Sequence, residues 1–202
     1  MPTPRIRHFE ASDLADVYDV CVRTADAGGD ARGMYRDDDL MPDIFAGPYV
    51  ALEPELAFVL DDGSRVVGYV IGTADTDRFV RRYRAEWIPR LADRYPPPGG
   101  PPATREEEMI ALHHNPEHML QPELADHPAH LHIDLLPQVQ GRGHGRGLME
   151  TMYGALAAAG APALHVSATA ANRPAVRFYR RLGFYEIGAD ADTVHLGRST
   201  TV

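Results

Sequence analysis

The sequence contains no lysine, so all 20 of its basic residues are arginines. A phosphate-binding loop of the Walker type needs a lysine, and catalysis through a Schiff base needs a lysine amine. The absence of lysine therefore excludes both mechanisms.

Cysteine and long apolar runs are also scarce. Cys21 is the only cysteine, which excludes an intrachain disulfide and a metal cluster held by thiolates. No apolar run reaches the roughly 18 residues of a membrane-spanning helix. The N-terminal segment lacks the apolar core of a secretory signal. Together these absences predict a cytoplasmic protein with no membrane partner.

Positive charge is in deficit, with 29 acidic residues against 20 arginines and a formal net charge of −9. This balance argues against nucleic acid as the main partner, and it permits a cationic substrate.

The first half of the chain predicts helices and one β-hairpin. Ser12 can cap a helix that ends at residues 28–29, both glycines. Two β-branched and aromatic runs flank the Asp-Gly turn of residues 61–64, which predicts a hairpin. Residues 77–95 predict a helix that Pro89 is expected to kink.

The second half of the chain alternates strands and helices. The predicted segments are a strand at 130–136, a helix at 143–160, a strand at 163–170, a helix at 173–183 and closing strands at 184–188 and 193–197. This alternation predicts an α/β (α+β) domain with a mixed sheet.

Three neighbouring histidines, His113, His114 and His118, suggest a metal site. Residues 114–118 match the inverted zinc-protease pattern His-x-x-Glu-His. However, Pro116 lies inside the pattern and would break the helix that aligns the two histidines. We therefore expect no metal site.

Four glycines, Gly141, Gly143, Gly145 and Gly147, lie between a predicted strand and a predicted helix. Backbone N–H groups at a helix start lack internal partners and carry the positive end of the helix dipole. Glycines allow these groups to curl around a bulky anion. The segment therefore predicts a cradle for a phosphate or pyrophosphate.

The spacing of these glycines does not fit a dinucleotide-binding fold. The fingerprint requires a third glycine, which for the three possible starts would fall on Arg146, Leu148 or Glu150.

The motif Gln140-x-x-Gly143-x-Gly145 resembles the acyl-CoA signature of the GNAT superfamily of N-acetyltransferases. A second family segment, "NRPAVRFYRRLGF", follows at residues 172–184. The resemblance implies a mixed central sheet with splayed strands and flanking helices. It also implies a single domain at 1–202 with a helical insertion at 76–128, including a Pro/Gly loop at 96–102.

The segment at residues 68–98 is similar to an insertion in the acetyltransferase-like domain of O-GlcNAcases, and "ELAFVLDD" and "VHLGRS" resemble the same relatives. We expect a bacterial-type relative without an attached glycosidase domain. Its glycine loop is intact, which favours cofactor binding.

The GNAT resemblance implies a set of residues that bind acetyl-CoA. The backbone of residues 133–135 would pair with the pantetheine arm, and residues 141–146 would hold the pyrophosphate. The full set is Ile133, Asp134, Leu135, Gln140, Gly141, Arg142, Gly143, His144, Gly145, Arg146, Asn172 and Tyr179.

Tyr179 matches the family tyrosine that protonates the departing thiolate, and Asn172 is also expected to cap its helix. The general base could be Asp134, His132 or a water. Period-2 alternation places His130, His132 and Asp134 on one face of the strand. We choose Asp134, acting directly or through a water. Further acceptor-pocket candidates are Trp87, Tyr69 and Asp75.

These motifs predict an acetyl-CoA-dependent N-acetyltransferase that acetylates a primary amine of a small molecule, peptide or protein. Direct attack in a ternary complex would transfer the acetyl group. The alternative is a catalytically silent acetyl-CoA-binding regulatory module. No metal is expected, and both a monomer and a homodimer remain open.

Overall fold

A seven-stranded sheet forms the centre of the protein, in a computed structural model that describes residues 3–201. The strands are β1 (Arg5–His8), β2 (Ala57–Asp61), β3 (Val66–Thr73), β4 (Ala129–Leu135), β5 (Ala163–Thr169), β6 (Tyr185–Ala189) and β7 (Thr193–Ser199). Their order across the sheet is β1-β2-β3-β4-β5-β7-β6. β4 and β5 run parallel, and the other neighbouring strands are antiparallel. The predicted mixed sheet is confirmed.

Helices cover both faces of this sheet. They are α1 (Leu14–Val22), α2 (Leu40–Phe45), α3 (Gly47–Leu52), α4 (Thr76–Arg82), α5 (Ile88–Leu91), α6 (Arg105–His113), α7 (His144–Ala158) and α8 (Arg173–Arg181). α7 packs on β2, β3 and β4, and α1 packs on β3 and β4.

One part of the core lies between the sheet and α7, and the same cluster includes buried residues of α1, α3 and α4. Every residue of β2 and β3 is buried. On α7, Leu148, Met152 and Leu156 recur every fourth residue and are fully buried. This spacing places them on one face of the helix, against the sheet.

The hairpin of β2 and β3 is confirmed, but β1 was not predicted. β1 is an edge strand of four residues that pairs with β2 through Ile6↔Leu60. Its sequence, RIRH, has one apolar residue and is too short to show a periodic pattern.

The first helix differs from the prediction at both ends. Ser12 does not cap it; Glu10 and Asp13 cap a short 3₁₀ turn reciprocally, through each other's backbone and side chain. α1 then ends at Val22, well before Gly28. Asp13 also accepts two hydrogen bonds from Arg7, which explains why the carboxylate is favoured over the serine.

The helix predicted at residues 77–95 is interrupted near the predicted kink. α4 passes into a turn of π-helix at Tyr83–Trp87, and α5 follows. Pro89 lies two residues beyond that turn and cannot donate a backbone hydrogen bond. The wider turn accommodates this missing donor.

Candidate active site

β4 and β5 separate from each other part-way along their length. They pair only at Ala129↔Leu164 and His130↔His165. Beyond that point β4 continues beside β3, and β5 continues beside β7. The resulting V-shaped gap is the splay that the family resemblance implied. Within the described chain, the edge of β4 at residues 133–135 has no strand partner on this side.

The four glycines that follow β4 form two pairs with different physical roles. Gly141 and Gly143 have φ angles of 71° and 88°, in the left-handed region that favours glycine. Gly145 and Gly147 lie inside α7, where an added Cβ would come within 3.1 Å of a neighbouring side chain. The first pair shapes the loop, and the second pair allows α7 to pack closely.

The start of α7 leaves backbone donors free. The N–H of Gly147 donates to the carbonyl oxygen of Gly143 at 3.2 Å. The N–H groups of residues 144–146 precede this bond and have no partner within the helix. The side-chain amide of Gln140 donates to the carbonyl oxygen of Leu135 at 2.8 Å and ties the loop to β4. Free N–H groups at the positive end of a helix dipole favour an anion.

α8 forms the opposite wall of the gap. Oδ1 of Asn172 accepts from the N–H of Ala175 at 3.2 Å, so Asn172 caps the helix as predicted. Tyr179 packs against Phe178 and Phe184 and is 8% exposed. Burial raises the pKa of its hydroxyl. The hydroxyl therefore stays protonated at neutral pH and is able to donate its proton.

The loop, the free edge of β4 and α8 enclose a cleft with a volume of about 560 Å³. We call it the cofactor cleft, after the predicted cofactor-binding residues that line it. This volume is typical of small-molecule sites. Ten of the twelve predicted cofactor-binding residues line it: Ile133, Asp134, Leu135, Gln140, Gly141, Gly143, Gly145, Arg146, Asn172 and Tyr179. Arg142, which is exposed, and His144, which is half-buried, do not belong to this lining. Phe178 and Arg181 line the cleft without having been predicted.

Asp134 lies between the cofactor cleft and α1. The hydroxyl of Tyr69 donates to its Oδ2 at 2.7 Å. Burial raises the pKa of the Asp134 carboxyl above its ordinary value, although hydrogen bonds from Tyr69 and Thr24 act in the opposite direction. A higher pKa makes Asp134 a better proton acceptor than an exposed aspartate.

A second cavity of about 240 Å³ lies nearer the point where β4 and β5 part; we call it the histidine pocket. The helices α2 and α3 add Phe45 and Tyr49, and β5 adds Ser167. Its histidines come from β4, β5, β7 and the segment before β4, and they are His118, His130, His132, His165 and His195.

Two of these histidines, His130 and His132, belong to one chain of hydrogen bonds. The hydroxyl of Tyr49 lies 2.7 Å from Nε2 of His130 and 3.1 Å from Nε2 of His132. Oγ1 of Thr76 lies 2.7 Å from Nδ1 of His130 and donates to the carbonyl oxygen of Pro128 at 2.7 Å. These five groups form a continuous hydrogen-bonded chain.

Three histidines of this pocket, His130, His132 and His165, are neutral at neutral pH. Burial lowers the pKa of His132 to about 4 and that of His165 to about 4. Burial also holds the pKa of His130 well below its ordinary value. Sequence reasoning considered His132 but missed His165. The period of two along β5 places His165 and Ser167 on the same face of the strand, and this polar pair was visible in the sequence.

The other acceptor-pocket candidates do not line the histidine pocket. The indole of Trp87 donates to the carbonyl oxygen of Asp43 at 2.8 Å within the core. Asp75 caps α4 by accepting from the N–H of Arg78 at 2.9 Å. Tyr69 reaches the site only through its bond to Asp134.

The inverted zinc-protease pattern does not lie on one helix. α6 ends at His113, and Pro116 begins a separate 3₁₀ turn, as its position predicted. Among residues 3–201, no group of three or more His, Cys, Asp or Glu side chains is arranged to hold a metal ion. A search of the same residues found no helix with the length and apolar character needed to cross a membrane.

Known proteins are similar to this chain in sequence and in fold. Protein O-GlcNAcase of Rattus norvegicus is 30% identical over 200 residues, and so is that of Mus musculus. The match covers 96% of this chain but 22% of each relative, so the chain spans about a fifth of their length. The predicted similarity to O-GlcNAcases is confirmed for this region.

Solved structures extend the comparison. The crystal structure of SsHAT has a TM-score of 0.97 with 56% identity, and the match covers 100% of both chains. The structure of yncA from Salmonella typhimurium, with its cofactor acetyl-CoA, has a TM-score of 0.55 with 13% identity. That match covers 98% of this chain and 94% of yncA, and it shows the fold alone.

The model of the acetyltransferase (GNAT) family matches residues 30–184, more than half of the chain. The matched region includes the splayed strands, the glycine loop and α8. The chain therefore belongs to the GNAT family of acetyltransferases, which are acyltransferases that use acetyl-CoA.

Proposed function

We propose that this protein transfers the acetyl group of acetyl-CoA to a primary amine by direct attack in a ternary complex. The observation that supports this most strongly is the unpaired edge of β4 at residues 133–135, which continues into a loop of free N–H donors. An extended thioester arm and a diphosphate require these two features in this order.

The residues of the cofactor cleft fit coenzyme A chemically. An unpaired strand edge can pair with an extended amide chain, so residues 133–135 would hold the pantetheine arm. The N–H groups of residues 144–146, with Gly141 and Gly143, would hold the pyrophosphate. Asn172 and Arg146 would add polar contacts from opposite sides.

Acetyl-CoA supplies an acetyl group already activated as a thioester. A backbone N–H of the segment 133–135 would polarise the acetyl carbonyl, and such a donor is typically worth about 3–4 kcal/mol. Asp134 would take the proton of the attacking amine, directly or through a water. Tyr179 would donate its proton to the departing sulfur.

Two pKa shifts support Asp134 over His132 as the base. Burial raises the pKa of Asp134, while burial lowers that of His132 to about 4. Of the two, the carboxylate gains proton affinity from its environment and the imidazole loses it.

We further propose that residues 1–202 act as one catalytic domain in which the insertion at 76–128 completes the acceptor side. Leu112, Pro116 and His118 of this insertion line the histidine pocket.

The test has two stages. Saturating acetyl-CoA should raise the free energy of unfolding, by about 2.7 kcal/mol at 100 times the dissociation constant. A panel of primary amines should then release free thiol. No stabilisation would contradict cofactor binding, and stabilisation without thiol release from any amine would favour a silent acetyl-CoA-binding module.

A further inference from the structure

The histidine pocket lies next to the place where the reaction would occur. It is lined by His132 and by Val166 and Ser167, all beyond the last β4–β5 pair. The cofactor cleft begins at Ile133, the next residue of β4. The two cavities therefore lie along consecutive stretches of β4, beside the same gap between the strands.

The hydrogen-bonded chain behind the pocket fixes the tautomer of each histidine. The carbonyl oxygen of Pro128 can only accept, so Thr76 Oγ1 donates to it and accepts from Nδ1–H of His130. His130 then offers Nε2 as an acceptor to the hydroxyl of Tyr49. Tyr49 in turn accepts from Nε2–H of His132.

The end of this chain faces the pocket. Because His132 carries its proton on Nε2, its Nδ1 is an acceptor. No group among residues 3–201 hydrogen-bonds to that atom. The ring is held by Phe45 and Tyr49, at centroid distances of 5.9 Å and 5.0 Å. His132 therefore presents one oriented lone pair to a ligand.

The pocket offers almost no charge to a ligand. Asp190 is the one aspartate, glutamate or arginine of the described lining. Oδ1 of its carboxylate already accepts from the backbone N–H groups of Asp192 and Thr193, at 2.9 Å and 2.8 Å. Moving an ammonium group from water into such surroundings is costly, whereas a neutral amine needs only an acceptor.

We propose that the histidine pocket is the acceptor site and selects a primary amine that is uncharged at neutral pH, such as an arylamine, hydrazine or alkoxyamine. Nδ1 of His132 accepts one N–H of this amine and orients its lone pair toward the acetyl carbonyl. Thr76 is a positioning residue, because it acts on the amine only through His130, Tyr49 and His132. This inference rests on the acetyltransferase function proposed above.

The step balances without a further reactant. The amine nitrogen forms a bond to the acetyl carbon, and the bond from that carbon to sulfur breaks. Asp134 takes the amine proton, and Tyr179 gives its proton to the sulfur. His132 and Asp134 are two residues apart on one face of β4, about 6.5–7 Å along the strand. One nitrogen held between them is able to reach both, the carboxylate directly or through a water.

The first test compares two amines of similar size at neutral pH, phenylhydrazine and benzylamine, of which only benzylamine is cationic. Thiol release, corrected for the uncatalysed reaction, should show a kcat/KM at least tenfold higher for phenylhydrazine. A preference for benzylamine would overturn the proposal while leaving the transferase function intact. Thiol release from neither amine, nor from the wider panel, would overturn both.

The second test uses the matched variants Thr76→Val and Thr76→Ser. Valine keeps the shape but cannot link His130 to Pro128, and serine keeps the link. Losing one hydrogen bond of the chain should raise the acceptor KM about three- to tenfold in Thr76→Val. In Thr76→Ser the acceptor KM should stay close to the wild-type value. The acetyl-CoA dissociation constant should be unchanged in both variants.

The tautomers themselves give a readout that does not depend on activity. Nitrogen-15 NMR of the imidazoles should show Nε2–H on His132 and Nδ1–H on His130 in the wild type and in Thr76→Ser. Thr76→Val should show a mixture. Identical tautomers and identical acceptor KM values in the two variants would contradict the positioning role.

Discussion

The cofactor cleft and the histidine pocket lie on the same gap between strands but are built in different ways. The cleft is lined mainly by two continuous segments, residues 133–146 with their glycine loop and residues 172–182 of α8 and its ends. The pocket is made of side chains from distant segments, such as Tyr49, His132 and His195. A ligand with a constant diphosphate can be held by backbone, whereas a particular acceptor requires a particular set of side chains.

Tyr179 and Asp134 line the cofactor cleft and carry the two proposed proton transfers, so their loss should have the largest effect. Tyr179→Phe should lower kcat about 10²- to 10⁴-fold, because it removes the proposed proton donor to the sulfur. The acetyl-CoA dissociation constant, measured by titration calorimetry, should change little. Tyr153→Phe is the control, since Tyr153 is a buried tyrosine of α7 outside both cavities. Equal kcat values in the two variants would remove Tyr179 from the mechanism.

Asp134→Asn should lower turnover about 100-fold through loss of the proposed general base. In the wild type, activity should be lost as the pH falls through the raised pKa of Asp134, because the protonated carboxyl cannot accept the amine proton. This acid limb of the kcat/KM profile should disappear in the variant. Asp43→Asn is a matched control, since burial also raises the pKa of Asp43 and Asp43 lines neither cavity. A wild-type acid limb in Asp134→Asn would point to another base.

The buried histidines of the pocket and Asp134 of the cleft should change the free energy of unfolding in opposite directions at acid pH. Burial lowers the folded-state pKa of His132 and His165 from 6.5 to about 4. Between these values the unfolded chain binds more protons, so the free energy of unfolding should fall as the pH decreases. The expected slope is about 1.4 kcal/mol per pH unit for each such histidine. Asp134 acts in the opposite direction, because its folded-state pKa is raised.

Urea unfolding at several pH values measures this slope. His165→Asn is the informative variant, because its amide can replace Nδ1–H of His165, which donates to the carbonyl oxygen of His127 at 2.7 Å. The slope should decrease in the variant. An unchanged slope would mean that His165 is not held neutral.

The smallest expected effects concern two glycines, one in the loop of the cofactor cleft and one in the middle of α7. Gly143→Ala places a Cβ at a φ of 88° and should lower the free energy of unfolding by about 1–2 kcal/mol. It should also weaken acetyl-CoA binding. Gly154→Ala, in the middle of α7, meets no atom within 4 Å and should stabilise the protein by about 0.5–1 kcal/mol. Thermal unfolding with and without acetyl-CoA separates these outcomes, and equal behaviour of the two variants would show that the loop needs no left-handed residue.

The accuracy of sequence reasoning followed the range of the interactions involved. Gly143 and Asn172 were predicted correctly in their local roles, because a loop shape and a helix cap depend on a few neighbouring residues. Ser12 was predicted wrongly as a cap, because Arg7 stabilises Asp13 in that turn instead. β1 was missed because its position depends on pairing with β2, more than 50 residues away.

The sequence by itself determined the strand–loop–helix that forms the cofactor cleft, since the residues involved are neighbours and their backbone preferences are intrinsic. Only the tertiary structure decided the acceptor side. Tyr49 and His130 are 81 residues apart and become hydrogen-bonded only when the fold brings α3 next to β4. The tautomer and the protonation of each histidine follow from that packing, because burial and hydrogen-bond partners, rather than residue type, set them.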